Sequence, residues 1–254
     1  MYMVDLVNGD RFEEICDFHL GSPIPDGPSP LLYADMDNYK GAIDFIRDNP
    51  GRRFKLLTHN GDSVIEECHI PPNLLSWYTV NVNFQHPRVH SIPIGLERPK
   101  WHPLKISIME NAENYDGRVI KAIGEFNPMT FYIERVPLAN LILTDKIHAK
   151  YESSVNGRGF HKYVDNLRKY AFCLCPRGNG IDTHRIWEAL YLGSIPIIKR
   201  HITHECLKNM PVLFIDDWSE ITEERLREEY NIINSQGFSY NELSFSYWKD
   251  KVLQ

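Results

Sequence analysis

The sequence predicts an α/β protein with parallel sheets, and three observations carry that prediction. Short runs rich in Leu, Ile, Val and Phe alternate with longer stretches of helical spacing, the pattern of strands joined by crossover helices. The alternation occurs twice, over residues 1–110 and again over 111–254. Polar residues crowd the positions just after the strands, where loops of parallel sheets hold ligands. A chain of 254 residues fits one large α/β domain or two of roughly 100–150 residues each.

In the first half, Gly21 to Pro30 is a Pro/Gly/Asp/Ser loop. Leu31-Leu-Tyr-Ala-Asp35 is a short apolar strand, and Tyr39 to Arg47 has helical spacing closed by Asn49-Pro-Gly51. Phe54 to Thr58 is the next strand, ending in His59-Asn-Gly-Asp62. Pro71-Pro72 precede a predicted short helix over Leu74 to Tyr78, and Val89 to Leu96 reads as a strand. Together these imply a parallel sheet with helices on both faces. A polar connection, Glu97 to Pro103, leads to a boundary between Pro99 and Arg118.

The second half repeats the pattern. Val119 to Ile123 is a strand, Thr130 to Leu141 and Phe160 to Lys169 are helices, and Ala171 to Cys175 is a buried strand. A helix opens at Asp182, and strands follow at Ile195 to Ile198 and Val212 to Ile215, with a helix over His204 to Asn209 between them. Thr222 to Ile233 is an acidic helix, and Tyr240 to Leu253 an aromatic, amphipathic tail.

Composition excludes several classes. A hydrophobic fraction of 43% with 24% charge is that of an ordinary globular protein. No apolar run approaches the roughly 20 residues that span a membrane, and the start has neither a basic nor an apolar leader region. The five cysteines are scattered without metal-ligand spacing; Cys173 and Cys175 point to one side of a strand as small core residues. A formal charge of −6 disfavours a DNA-coating surface.

The most informative stretch is Phe172-Cys-Leu-Cys-Pro-Arg-Gly-Asn-Gly-Ile-Asp-Thr-His-Arg-Ile-Trp-Glu-Ala-Leu-Tyr-Leu-Gly-Ser-Ile-Pro-Ile-Ile198. It predicts a buried strand, a glycine-containing loop, an amphipathic helix and a second strand. Arg177, Gly178, Asn179, Asp182, Thr183, His184 and Arg185 then surround a helix N-terminus, which favours anions through its free N–H groups and dipole. Asp182 is the predicted cap. Arg185 and Glu188, three apart, share a helix face: one suits a phosphate, the other sugar hydroxyls.

This stretch resembles the donor-binding segment of exostosin-like glycosyltransferases, with its Arg-Gly loop, Arg-x-x-Glu-Ala-Leu helix and Gly-x-Ile-Pro strand. It is also similar to the matching segment of alpha-1,3-fucosyltransferases. The resemblance implies a GT-B architecture, two Rossmann-like domains facing across a cleft. Residues 1–110 would then form the acceptor-side domain and 111–254 the nucleotide-sugar domain, its final helix crossing back. The widespread GT-B donor motif carries a Glu where this chain has Gly180. Membrane anchors of Golgi relatives have no counterpart here, so the resemblance points to a cytoplasmic bacterial or viral enzyme.

The resemblance implies a UDP- or GDP-linked sugar donor, a carbohydrate or other hydroxyl acceptor, and no further cofactor. Arg177 and Arg185 would bind the diphosphate, with Arg135 beside them and Glu188 on the ribose; Thr183 and His184 would contact phosphate or base. Attack by the acceptor hydroxyl needs a proton acceptor, and Asp62, His59, Asp35 and Asp37 are the candidates at first-half strand ends. His201 and His204 lack a third metal ligand, and Asp35-Met-Asp37 lies far from the donor motif, so metal-independent transfer is expected. Two alternatives stand beside this: a viral transferase acting on hydroxymethylated DNA bases, for which nucleic acid would be the acceptor, and a non-catalytic nucleotide- or sugar-binding module.

Overall fold

A computed structural model describes residues 5–101, 103–111, 117–152 and 159–254. It contains two five-stranded sheets, and every strand pair is parallel. The fold is therefore α/β with two Rossmann-like layers, as expected. Residues 102 and 112–116, within the expected boundary, lie outside the described residues, as do residues 1–4.

The first sheet runs in sequence order: β1 (Phe18–His19), β2 (Leu31–Asp35), β3 (Phe54–His59), β4 (Leu74–Thr79) and β5 (Val89–Ser91). Helix α2 (Tyr39–Arg47) presents Ala42, Ile43 and Ile46 to one face, because that spacing puts all three on one stripe. The other face meets α1 (Gly9–Glu14) and the C-terminal helix α8 (Phe245–Leu253). Phe12 of α1 stacks on His59 and meets Phe245 edge-on, while Lys55 donates to the carbonyls of Val252 and Leu253. The tail thus packs across the first sheet.

Two expectations are corrected here. Leu74 to Tyr78 is strand β4, not a helix; Leu74, Trp77 and Thr79 are buried while Leu75 is exposed, and five residues are too few for period alone to decide. The strand read over Val89 to Leu96 stops at Ser91, because Pro93 has no N–H to give and Gly95 turns at φ +67°. A Cβ on Gly95 would lie 2.2 Å from the Val7 carbonyl, so this turn needs glycine.

The second sheet contains β6 (Val119–Gly124), β7 (Ala149–Tyr151), β8 (Tyr170–Leu174), β9 (Ile195–Lys199) and β10 (Leu213–Ile215), ordered β7-β6-β8-β9-β10. The order reverses between β6 and β8, making that gap the switch point where ligands bind in doubly wound sheets. Helices α4 (Tyr132–Leu143), α5 (Phe160–Lys169), α6 (His184–Tyr191) and α7 (Glu223–Ser235) surround it. Helix α6 begins after Thr183, not at Asp182, and His204–Asn209 is replaced by a 3-10 helix over Ile202–Leu207. Helix α3 (Lys105–Glu110), unanticipated, packs on α5. One apolar core runs from Leu32 and Leu57 through Trp187 and Leu190 to Trp248, joining both halves.

Candidate active site

Glu125 and Cys175 follow the last residues of strands β6 and β8, and the loops they open frame the switch point. Arg135, 6% exposed, braces them from α4: Nε donates to the Arg177 carbonyl at 2.8 Å, Nη1 to Asn127 and Nη2 to Pro176. Its guanidinium therefore supports the loop through three backbone carbonyls and does not line the cleft with Arg185. Burial and the charge of Arg185 bring its pKa down to about 10.

Arg185 occupies the cleft itself. One terminal nitrogen donates to the Glu125 carbonyl, and the buried Nε has no partner among the described residues. Glu188, one turn on, lines the same cleft of about 800 Å³. Its carboxylate accepts from Tyr163 Oη at 2.7 Å and lies 3.4 Å from Lys105 Nζ. Burial raises the Glu188 carboxyl, but Lys105, the Tyr163 hydroxyl, His184 and Arg185 together hold it below the usual range. A fixed anion and an incompletely bonded guanidinium thus share one cleft at the switch point.

The helix terminus is different from expectation. Asn81 Oδ1 accepts from the N–H groups of both Ile181 and Asp182, at 2.8 and 2.9 Å. Those two N–H groups, which precede the N-cap Thr183, are consequently taken by the first half. Asp182 does not cap α6. It is buried, accepts from Ile94 N at 2.8 Å and from Trp187 Nε1, and joins the halves. Thr183 is the N-cap residue, with no side-chain capping bond and its buried hydroxyl unpartnered. A Cβ on Gly180 would lie 2.7 Å from Asn81 Nδ2, so docking on Asn81 leaves no room there for a glutamate. Gly178 is similarly close to Arg135, at 3.3 Å.

Arg177 also departs from expectation. Its guanidinium lies 4.1 Å from the Phe131 ring centre and donates to the Asn179 carbonyl, turned back on its own loop and not lining the cleft with Arg185. Asn179 reaches across to the first half, donating to Asp62 at 3.2 Å.

Asp62 belongs to a second cleft of about 740 Å³, lined also by Asp35, Asp37, Glu97 and His184. Asp35 accepts from the Tyr33 hydroxyl and Asp37 from Ser63. His59 lies beneath, and its ring is fully engaged: Nε2 meets the Pro93 carbonyl at 3.0 Å and Nδ1 accepts from Asn60 N at 2.8 Å. Burial lowers its pKa to about 4. No nitrogen of His59 is left to take a proton from an acceptor. His184, by contrast, holds Nδ1 2.7 Å from the Gly95 carbonyl, which fixes the proton there and leaves Nε2 as a base, 3.7 Å from Glu97.

Arg135, Tyr163, Arg177, His184, Arg185 and Glu188 all fall within one stretch of sequence. Residues 134–239 match the RXYLT1 C-terminal domain. The matched stretch runs from the α4 arginine through the signature loop to the end of α7 and includes the Arg185/Glu188 side of the cleft; the first half lies outside it. A comparison with curated proteins finds no match. Among solved structures, that of TarM aligns with a TM-score of 0.36 and 9% identity, over 87% of this chain and 50% of that one. The chain thus spans about half of TarM's length.

Four contributors escaped the sequence reading: Asn81, Lys105, Tyr163 and Trp101, which lines both clefts. Tyr163 had a signal, since Phe160, Tyr163 and Leu167 share the inward face of α5. The other three act across the halves and carry no motif.

Proposed function

We infer that the protein is a glycosyltransferase binding a nucleoside-diphosphate sugar at the β6/β8 switch point and passing the sugar to a hydroxyl acceptor held over the first half. The observation that carries this reading is Arg185, a half-buried guanidinium whose buried Nε has no partner among the described residues, beside the fixed carboxylate of Glu188 in one cleft. The guanidinium suits the diphosphate, whose charge grows as it departs, and the carboxylate suits ribose hydroxyls. The similarity to the RXYLT1 C-terminal domain and to exostosin-like donor segments supports the same assignment.

The acceptor oxygen attacks the anomeric carbon as the bond to phosphate breaks, the electron pair leaving with the diphosphate. His184 Nε2 takes the acceptor proton, with Glu97 favouring the resulting cation; Asp62 is the other candidate base. Four carboxylates around the acceptor cleft repel a nucleic acid backbone, which disfavours a DNA-base acceptor.

Incubation with a panel of UDP- and GDP-linked sugars, followed by assay of released nucleotide, tests the reading. Slow donor hydrolysis by the unaltered protein is expected. Arg185→Ala should lower it by about 10²–10³-fold, the cost of losing one transition-state donor. Absence of hydrolysis with every donor would leave a binding module instead, and a loss below about tenfold would remove Arg185 from the chemistry.

A further inference from the structure

Four of the five tryptophans are buried, Trp77, Trp187, Trp218 and Trp248, all 4% exposed or less. Trp101 is 66% exposed, and it lines both clefts. Both clefts share this residue; its backbone N–H donates to the Arg98 carbonyl at 3.0 Å, and Lys100 Nζ stands 5.6 Å from the indole ring centre. Water covers most of a large planar apolar surface at the one place where both proposed substrates must meet.

We propose that Trp101 is the platform of the acceptor subsite and that the acceptor presents an uncharged sugar ring to it. This rests on the glycosyltransferase reading. A pyranose carries C–H groups on its faces and hydroxyls around its rim. The indole supplies a flat partner for the face, and Asp35, Asp37, Asp62 and Glu97 supply hydrogen-bond acceptors for the rim. Charge selects the neutral sugar. Arg98, the guanidinium lining this cleft, is already paired with Asp10 and Glu13, so an anionic ring would meet four carboxylates against the ammonium of Lys100, 5.6 Å from the indole centre.

Because the other four indoles are buried, quenching of intrinsic fluorescence by acrylamide reports Trp101. The probes are methyl β-D-glucoside, methyl β-D-galactoside, methyl β-D-xyloside and, as the anionic control, methyl β-D-glucuronide. At least one neutral glycoside should protect the protein from quenching, and the glucuronide should protect it less. In turnover with the best neutral glycoside, Trp101→Ala should raise the acceptor KM about tenfold or more, with the donor KM moving less than about twofold, and Trp101→Phe should recover part of the loss. Protection by none of the glycosides, stronger protection by the glucuronide, or a Trp101→Ala defect confined to the donor KM each overturns the proposal. Quenching needs no donor, so it decides the subsite even where donor hydrolysis fails and the enzymatic reading falls.

Discussion

Asp182 is a carboxylate reached by the N–H groups of Ile94 and Trp187 and otherwise enclosed by the protein. Burial outweighs those bonds and raises its pKa from 3.8 to about 6. Its contribution to stability is therefore complete below about pH 4 and is lost as pH rises through about 6. His59 and His204 behave oppositely. Each is lowered by burial from 6.5 to about 4, so their stabilisation is complete above 6.5 and is lost as pH falls through about 4. Between these limits the two histidines take up protons on unfolding while Asp182 releases one. Asp182→Asn removes the opposing proton, so stability should fall more steeply on acidification from pH 6.5 to 4, by about 1.4 kcal/mol per pH unit. Urea midpoints across that range check this, and an unchanged slope would contradict the raised carboxyl. At this scale the sequence exposed Arg185 and Glu188 through their spacing. It could not reveal that Arg135 and Arg177 turn to backbone carbonyls or that His59 is enclosed, since those outcomes depend on which loop lies above each side chain.

The loop from Pro176 to Thr183 shows how one element is mounted by another. Its N–H groups at Ile181 and Asp182 are held by Asn81, itself in a left-handed turn at φ 54° after β4. Asn tolerates that conformation better than most residues and offers a carbonyl oxygen with two lone pairs. Asn81→Ala strands two buried donors, and about 1–3 kcal/mol of destabilisation is expected for each. Asn81→Asp keeps the acceptor and should cost less. Denaturant titration decides; a loss for the alanine variant within about 0.5 kcal/mol would mean water or another group takes over. Strands with strong apolar runs, such as β2, β8 and β9, were legible because burial on both faces leaves a continuous signal. Strand β4 was not, because Pro71-Pro72 followed by two leucines reads equally as a helix start.

The whole molecule is expected to unfold as one cooperative unit. Its main core passes from the first sheet through α6 to α8, and Tyr191 ties three parts together, accepting from Val7 N at 3.0 Å and donating to the Leu243 carbonyl at 2.7 Å. A single unfolding transition with coincident fluorescence and far-UV signals is the expected result, where independent halves would give two. Tyr191→Phe should lower stability by about 1–3 kcal/mol without splitting that transition. The twofold α/β alternation was readable along the chain, but the in-order wiring of the first sheet was not, because the periodicity of a strand does not encode its neighbour.

Arg135 and Arg185 give the assembly a last property. The buried Arg135 guanidinium senses the charge of Arg185 while both donate to backbone carbonyls. An anion bound beside them would offset that repulsion at Arg135, and inorganic pyrophosphate should shift the melting point upward in proportion to the logarithm of concentration. Buffers containing phosphate or sulfate would compete for the same place and mask turnover, so the choice of salt decides whether activity is seen at all.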